Sequence, residues 1–223
     1  MKISILMLSY NAPKYVYESV STLKKITKTE IPYELIVVDN ASRWPTKMLV
    51  KYLHNKGMID KLRLNKNNQL FAGGNNTASC MAADDSTHYL LLNSDVRIND
   101  PKWLDRLVAL LPSDGGISSF GAVLTDPVRA DGYCMLVNKE LYDKYQLDEN
   151  FQWWWSVTKL EAQILNEGFS IVAVENHENM IHHYGGKSGR GFKNAKGLNV
   201  DIDEIKAWFE NSGDRMRIVE RID

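Results

Sequence analysis

In the stretch THYLLLNSDVRI, residues 87–98, an apolar run of Tyr89, Leu90, Leu91 and Leu92 stops abruptly at Asn93-Ser94-Asp95. The run is too short for a typical helix and suits a strand buried on both faces, the habit of a central parallel strand. The same design occurs twice upstream. Residues 3–8 (ISILML) break at Ser9-Tyr10-Asn11, and residues 34–38 (ELIVV) break at Asp39-Asn40-Ala41-Ser42. After Pro13, Val16, Val20 and Leu23 keep helical spacing, and a second helix is predicted over residues 45–55. Strand, helix, strand with polar tips on one edge is a βαβ unit, and open sheets of such units bind ligands beyond the carboxyl ends of their strands. The pattern predicts an α/β fold with a mostly parallel sheet flanked by helices. It also nominates Asp95, whose alternative reading is an ordinary polar turn.

At 223 residues the chain suits a single domain with a core that needs no metal or disulfide staple. Its net charge of -1 excludes a global field that would favour nucleic acid or an acidic membrane. Cys80 and Cys134 lack metal-ligand spacing and read as two small buried, reduced thiols. The first apolar run is too short for a signal peptide, and no stretch approaches the ~20 apolar residues of a spanning helix. Together these features predict a cytoplasmic protein.

A short strand near residues 61–64 leads to Phe71-Ala72-Gly73-Gly74-Asn75-Asn76, which opens a small-residue helix through Ala83. Paired glycines at a helix entry permit close approach of a ligand, and free N–H groups there favour anions. Leu104, Leu107, Val108 and Leu111 predict a helix between Pro101 and Pro112. Strands follow over residues 117–124 and 133–137, a short helix over residues 139–145, and a helix ending at Gly168 before a strand over residues 170–174. His182-His183-Tyr184-Gly185-Gly186 ends a last extended run. In the tail, Asp201 and Glu204 resemble a capping box ahead of an apolar face of Ile202, Ile205, Trp208 and Phe209.

The ordered series SYN (from Ser9), VVDNAS (from Val37), FAGGNN (from Phe71), LLLNSD (from Leu90) and HHYGG (from His182) resembles family 2 glycosyltransferases of the GT-A fold. It looks closest to the branch of rhamnosyltransferase-like enzymes. The resemblance implies a single Rossmann-like catalytic domain over residues 1–188, with residues 189–223 as a loop and helix packing on the same domain. It further implies an inverting transfer from a UDP- or dTDP-sugar to a hydroxyl acceptor. Ser9, Tyr10, Asn11 and Asp39 carry over as nucleotide contacts. Phe71, Gly73, Gly74, Asn75, Asn93 and Ser94 carry over around the donor. The family's D-x-D motif is Asn93-Ser94-Asp95 here, so Asp95 is expected to hold Mn²⁺ or Mg²⁺ on the diphosphate. His182 is the expected second ligand, with His183 the alternative, because neighbours on a strand point to opposite faces.

One departure stands out. The family's "F-D-E-x-F" turn matches Leu147-Asp148-Glu149-Asn150-Phe151, but the acidic pair that should follow is Ser156-Val157. A valine cannot accept the acceptor's proton. Glu161, about one turn further along the same predicted helix, is the substitute base suggested by position. Trp153, Trp154 and Trp155 cannot all point at one core, since helical neighbours diverge by about 100° and strand neighbours alternate. At least one ring is therefore exposed or lines a cleft; an acceptor platform is the functional reading, and two rings plugging the core with the third partly covered is the alternative. Two alternatives remain open: a catalytically silent nucleotide-sugar-binding protein, and a transferase glycosylating modified nucleobases in DNA. The latter draws on a basic segment, Lys187, Arg190, Lys193 and Lys196, although the net charge does not indicate a nucleic-acid partner.

Overall fold

The computed structural model describes residues 1–187, 195 and 197–222; Arg190, Lys193 and Lys196 of the basic segment lie outside the described residues. The first half comprises β1 (Ile3–Ser9), α1 (Pro13–Ile26), β2 (Tyr33–Asp39), α2 (Trp44–Asn55), β3 (Lys61–Leu64), α3 (Leu70–Ser79), β4 (His88–Leu92), β5 (Val96–Ile98) and α4 (Trp103–Ala109). The second comprises β6 (Ile117–Phe120), β7 (Ala122–Val123), β8 (Arg129–Ala130), β9 (Cys134–Asn138), α5 (Lys139–Tyr145), α6 (Trp154–Asn166), β10 (Ile171–Asn176), β11 (Ile181–His183), α7 (Ile202–Trp208) and β12 (Met216–Arg221).

Eight strands form one sheet in the order β12-β10-β6-β9-β4-β1-β2-β3. Neighbours are parallel except β9, which runs antiparallel to both β4 and β6. Side-chain alternation divides the core into two layers. Ile3, Ile5 and Met7 of β1 meet Val16 and Val20 of α1 and Leu53 of α2, whereas Leu6 joins the layer of Ala72, Tyr142 and Leu160 on the opposite face. Burial on both faces is why these strands read as continuous apolar runs.

The antiparallel strand has a consequence for the rim. Leu92 at the end of β4 pairs with Cys134 at the start of β9, so the turn before β9 arrives at the same edge as the carboxyl ends of β1, β2 and β4. The Asn93 N–H donates to the Tyr133 carbonyl at 2.8 Å and joins the two segments. Beside them, β11 pairs with β5 and sets His183 opposite Val96.

Several expectations need correction. Helix α3 begins at Leu70 and ends at Ser79, short of Ala83. The strand expected over residues 117–124 is split at Gly121, whose φ of +102° only glycine adopts without strain. Strand β12 adds to the expected strands; residues 216–221 give no apolar run that would signal it, since they lie at the sheet's edge. Cys134 is buried, but Cys80 is exposed. On α7, Ile205 is buried while Ile202 is exposed, and the Asn166 amide of α6 donates to the Trp208 carbonyl at 2.8 Å. Among the described residues, no helix is long and apolar enough to cross a membrane.

Candidate functional site

A cavity of about 590 Å³ opens at the rim formed by these strand ends. One wall comes from Leu8, Tyr10, Asn40, Asn68, Leu70 and Phe71, the other from Arg129, Asp131, Tyr133, Trp153, Trp154 and Trp155. Asn93, Ser94, Asp95 and His183 lie in the lining with them.

The first wall is held by polar side chains that bond to backbone. Asp39 is fully buried; one oxygen accepts from the Ser9 hydroxyl at 3.3 Å and the other from the Ser42 N–H at 3.0 Å. Asn11 accepts from the Arg43 N–H at 2.7 Å, and its own N–H donates to the Ser42 hydroxyl at 3.0 Å. Asn40 accepts from the Asn65 amide and the Gln69 N–H and donates to the Leu70 carbonyl at 2.7 Å. Asn11, Ala41, Leu70 and Trp153 are held at φ of 51°, 63°, 58° and 48°. Non-glycine residues in this region cost of order 1 kcal/mol or more and persist where neighbours over-determine them.

Ser9, Asn11 and Asp39, expected as nucleotide contacts, bond to one another's loops at the rim and are not among the residues lining the cavity. The glycine pair is also explained by packing. A Cβ on Gly74 would stand 2.8 Å from Leu8 Cδ2, and one on Gly73 would stand 3.3 Å from Glu149, so the glycines let α3 lie close to the sheet and to the 147–149 turn. Asn75 donates to the Phe71 carbonyl at 3.0 Å within its own helix and is buried. The anion site expected at the start of α3 is closed as well, because Gln152 Oε1 accepts from the N–H groups of Phe71 and Ala72 at 3.2 and 3.4 Å.

Asp95 sits just beyond the central strand. Its Oδ1 lies 3.3 Å from His183 Nε2, and its Oδ2 accepts from the Lys187 N–H at 3.0 Å. Burial disfavours the charged carboxylate, but the contacts from His183 and the Lys187 N–H outweigh it and hold the carboxyl below its ordinary range. The imidazole is His183, not His182. Strand alternation turns His183 toward the site, where it stacks on Tyr133 with centroids 4.3 Å apart, while His182 packs edge-on against Tyr184 at 4.7 Å. The Tyr133 hydroxyl is buried with no hydrogen-bond partner among the described residues, and burial pushes its phenol far above the ordinary value.

Glu161 does not reach the cavity. It is fully buried beneath β8, where Oε2 accepts from the Ala130 N–H at 2.9 Å and Oε1 has no partner among the described residues. Burial drives its carboxyl up to about 8, against smaller opposing effects of the Ala130 N–H and Arg129. Val157, one turn earlier, does line the cavity. All three tryptophans line it too, with Trp154 52% exposed, the Trp155 indole N–H donating to the Leu198 carbonyl at 2.8 Å, and the Arg129 guanidinium 5.6 Å from the Trp155 ring centre.

Arg129, Asp131 and Tyr133 carry no local sequence signal of a site. Asp131-Gly132-Tyr133 is a plain turn before a strand and signals a site only once that strand is known to run antiparallel to its neighbours.

A family model described as "Glycosyl transferase family 2" matches residues 4–159. None of the curated proteins matches the chain. Among solved structures, S. aureus TarS 1-349 in complex with UDP aligns at 18% identity and TM-score 0.59, covering 74% of this chain and 55% of that one. The mannosyltransferase PcManGT from Pyrobaculum calidifontis, in complex with GDP-Man and Mn2+, aligns at 16% and TM-score 0.63, covering 78% and 55%. TarS 1-349 in complex with UDP-GlcNAc aligns at 16% and TM-score 0.68, covering 95% and 72%. The chain thus spans about half the length of the first two, and at these identities the likeness is one of fold. The family model extends over more than half of the chain and takes in the strand tips that frame the cavity, and on that match the chain belongs to glycosyl transferase family 2.

Proposed function

We propose that the cavity transfers a sugar, with inversion, from a nucleoside diphosphate donor such as a UDP- or dTDP-sugar to a hydroxyl acceptor, with Mn²⁺ or Mg²⁺ as cofactor. The observation that carries this reading is Asp95 and His183 meeting at the end of the central strand, facing the cavity. Asp95 Oδ1 and His183 Nε2, 3.3 Å apart, are the side-chain atoms that would hold the cation. No group of three or more His, Cys, Asp or Glu stands ready for a metal among the described residues, so phosphate oxygens and water would complete the shell. The bound cation would supply charge neutralisation for the departing diphosphate. Tyr10, Asn40, Leu70 and Phe71 would hold the nucleotide, Asn93 and Ser94 would flank the donor sugar, and Trp153, Trp154 and Trp155 would stack on the acceptor. TarS, captured with UDP and UDP-GlcNAc, and PcManGT, captured with GDP-Man and Mn2+, lend support by analogy of fold.

The test is incubation with a panel of UDP-, dTDP- and GDP-sugars and Mn²⁺ or Mg²⁺, reading nucleotide release and product formation. Turnover that a chelator removes and that falls at least about 100-fold in Asp95→Ala is the expected result. Undiminished turnover in Asp95→Ala ends the assigned role. A second reading, binding without transfer, is favoured by Ser156 and Val157 at the expected acidic pair. It requires saturable nucleotide binding with no product from any donor.

A further inference from the structure

We propose that Asp131 is the general base, an assignment that rests on the transferase reading and supplies what helix α6 lacks. Among the described residues, the cavity is lined by two carboxylates, Asp95 and Asp131. Asp95 is engaged at both oxygens, by His183 and by the Lys187 N–H. Among the described residues, the Asp131 carboxylate accepts one hydrogen bond, from the Tyr133 N–H at 3.3 Å on Oδ1.

Its backbone is fixed from beneath. The Asp131 N–H donates to the Gly121 carbonyl at 2.9 Å, and the Ser119 hydroxyl donates to the Asp131 carbonyl at 2.7 Å. The seat exists because residue 121 is glycine, since a Cβ there would come within 2.9 Å of Asp131 Cβ. A base whose support is rigid keeps its aim without reorganisation.

The turn carrying Asp131 also touches the helix position left without an acid. A Cβ on Gly132 would lie 2.6 Å from Val157 Cγ2, so Val157 fills the space above Gly132 with a methyl group. The carboxylate has in effect crossed that contact, from the first turn of α6 to the facing turn before β9. In the transfer step the acceptor oxygen bonds to the anomeric carbon while its proton passes to the Asp131 carboxylate. The bond from that carbon to the phosphate oxygen breaks, its electron pair leaves on the nucleoside diphosphate, and Asp131 afterwards returns the proton to water.

Asp131→Asn tests this, because the amide oxygen can still accept from Tyr133 and only basicity is lost. Turnover is measured with the UDP-, dTDP- and GDP-sugar panel and Mn²⁺, and affinity by titration with UDP and GDP. The expected result is a fall in kcat of at least about 100-fold with nucleotide affinity kept within about threefold. Turnover in Asp131→Asn equal to wild type overturns the assignment and leaves the transferase reading standing, as does a loss of activity matched by a loss of nucleotide binding. Wild-type protein that turns over no donor overturns both.

Discussion

The two walls of the cavity are built on opposite principles. On the side of β1, β2 and α3, Asp39, Asn11 and Asn40 direct their polar atoms into neighbouring backbone, so the loops are stiff but few side-chain groups remain for a ligand. On the side of β8, β9 and α6, rings dominate: Tyr133 stacks on His183, and Trp154 meets Trp155 edge-on at 6.2 Å. Of these, the Trp154 ring is left open to whatever enters, at 52% exposure. The contrast teaches that a motif's polar residues can be spent on shaping the loops of a rim, while rings supply the open surface of the opposite wall. It also shows that burial of a carboxylate says little about its use, since Asp95 is buried with partners on both oxygens while Glu161 is buried with one oxygen bare.

That contrast can be broken from beneath the ring wall first. Glu161 binds its proton up to about 8 when folded and only to near 4.5 when free, so the native state keeps a proton that the unfolded chain releases. The stability this contributes is fully present below 4.5 and is lost as pH rises toward 8. Glu161→Gln, which cannot ionise, should be more stable than wild type at pH 8 by on the order of 3 kcal/mol and nearly equal to it at low pH. Urea melts at both ends of that window decide the matter, and an unchanged pH slope in the variant would show that Glu161 ionises freely. A smaller effect is expected in the polar wall. Asn40→Ala leaves the Leu70 carbonyl, the Gln69 N–H and the Asn65 amide short of a partner and should cost about 2 kcal/mol while weakening UDP binding. Equal loss of stability without any change in UDP affinity would separate that wall from the nucleotide. The smallest stability effect belongs to the ring wall itself. Trp154→Ala, at an exposed ring, should change stability by less than about 0.5 kcal/mol yet raise the KM for acceptor roughly tenfold at unchanged donor KM. A shift in donor KM instead would move that ring to the other substrate.

Much of the scaffold was legible because apolar runs and polar tips are local signals. The tips of β1, β2 and β4 lie at the rim as their sequence pattern implied, and α5 covers residues 139–145 as read. The alternation argument required at least one of the three tryptophans to be exposed or to line a cleft; Trp154 is exposed, and all three line the cavity. Local signals failed where the answer depended on direction or depth. Glu161 is one turn from the expected acid and on nearly the same side of α6, but that turn lies deeper, under β8, where the carboxyl is fully buried. His182 and His183 are equivalent in sequence, and only the pairing of β11 with β5 selects which imidazole meets Asp95.

The sequence by itself determined the parallel α/β plan, the placing of polar tips beyond buried strands, and Asp95 just beyond one of them, because hydrophobic periodicity and chain breaks are properties of neighbours along the chain. Tertiary structure alone decided which of the polar residues face the cavity. The reversal of β9 brings Asp131 and Tyr133 to the rim, and helix packing turns the glycine pair inward, because both depend on contacts between segments far apart in sequence.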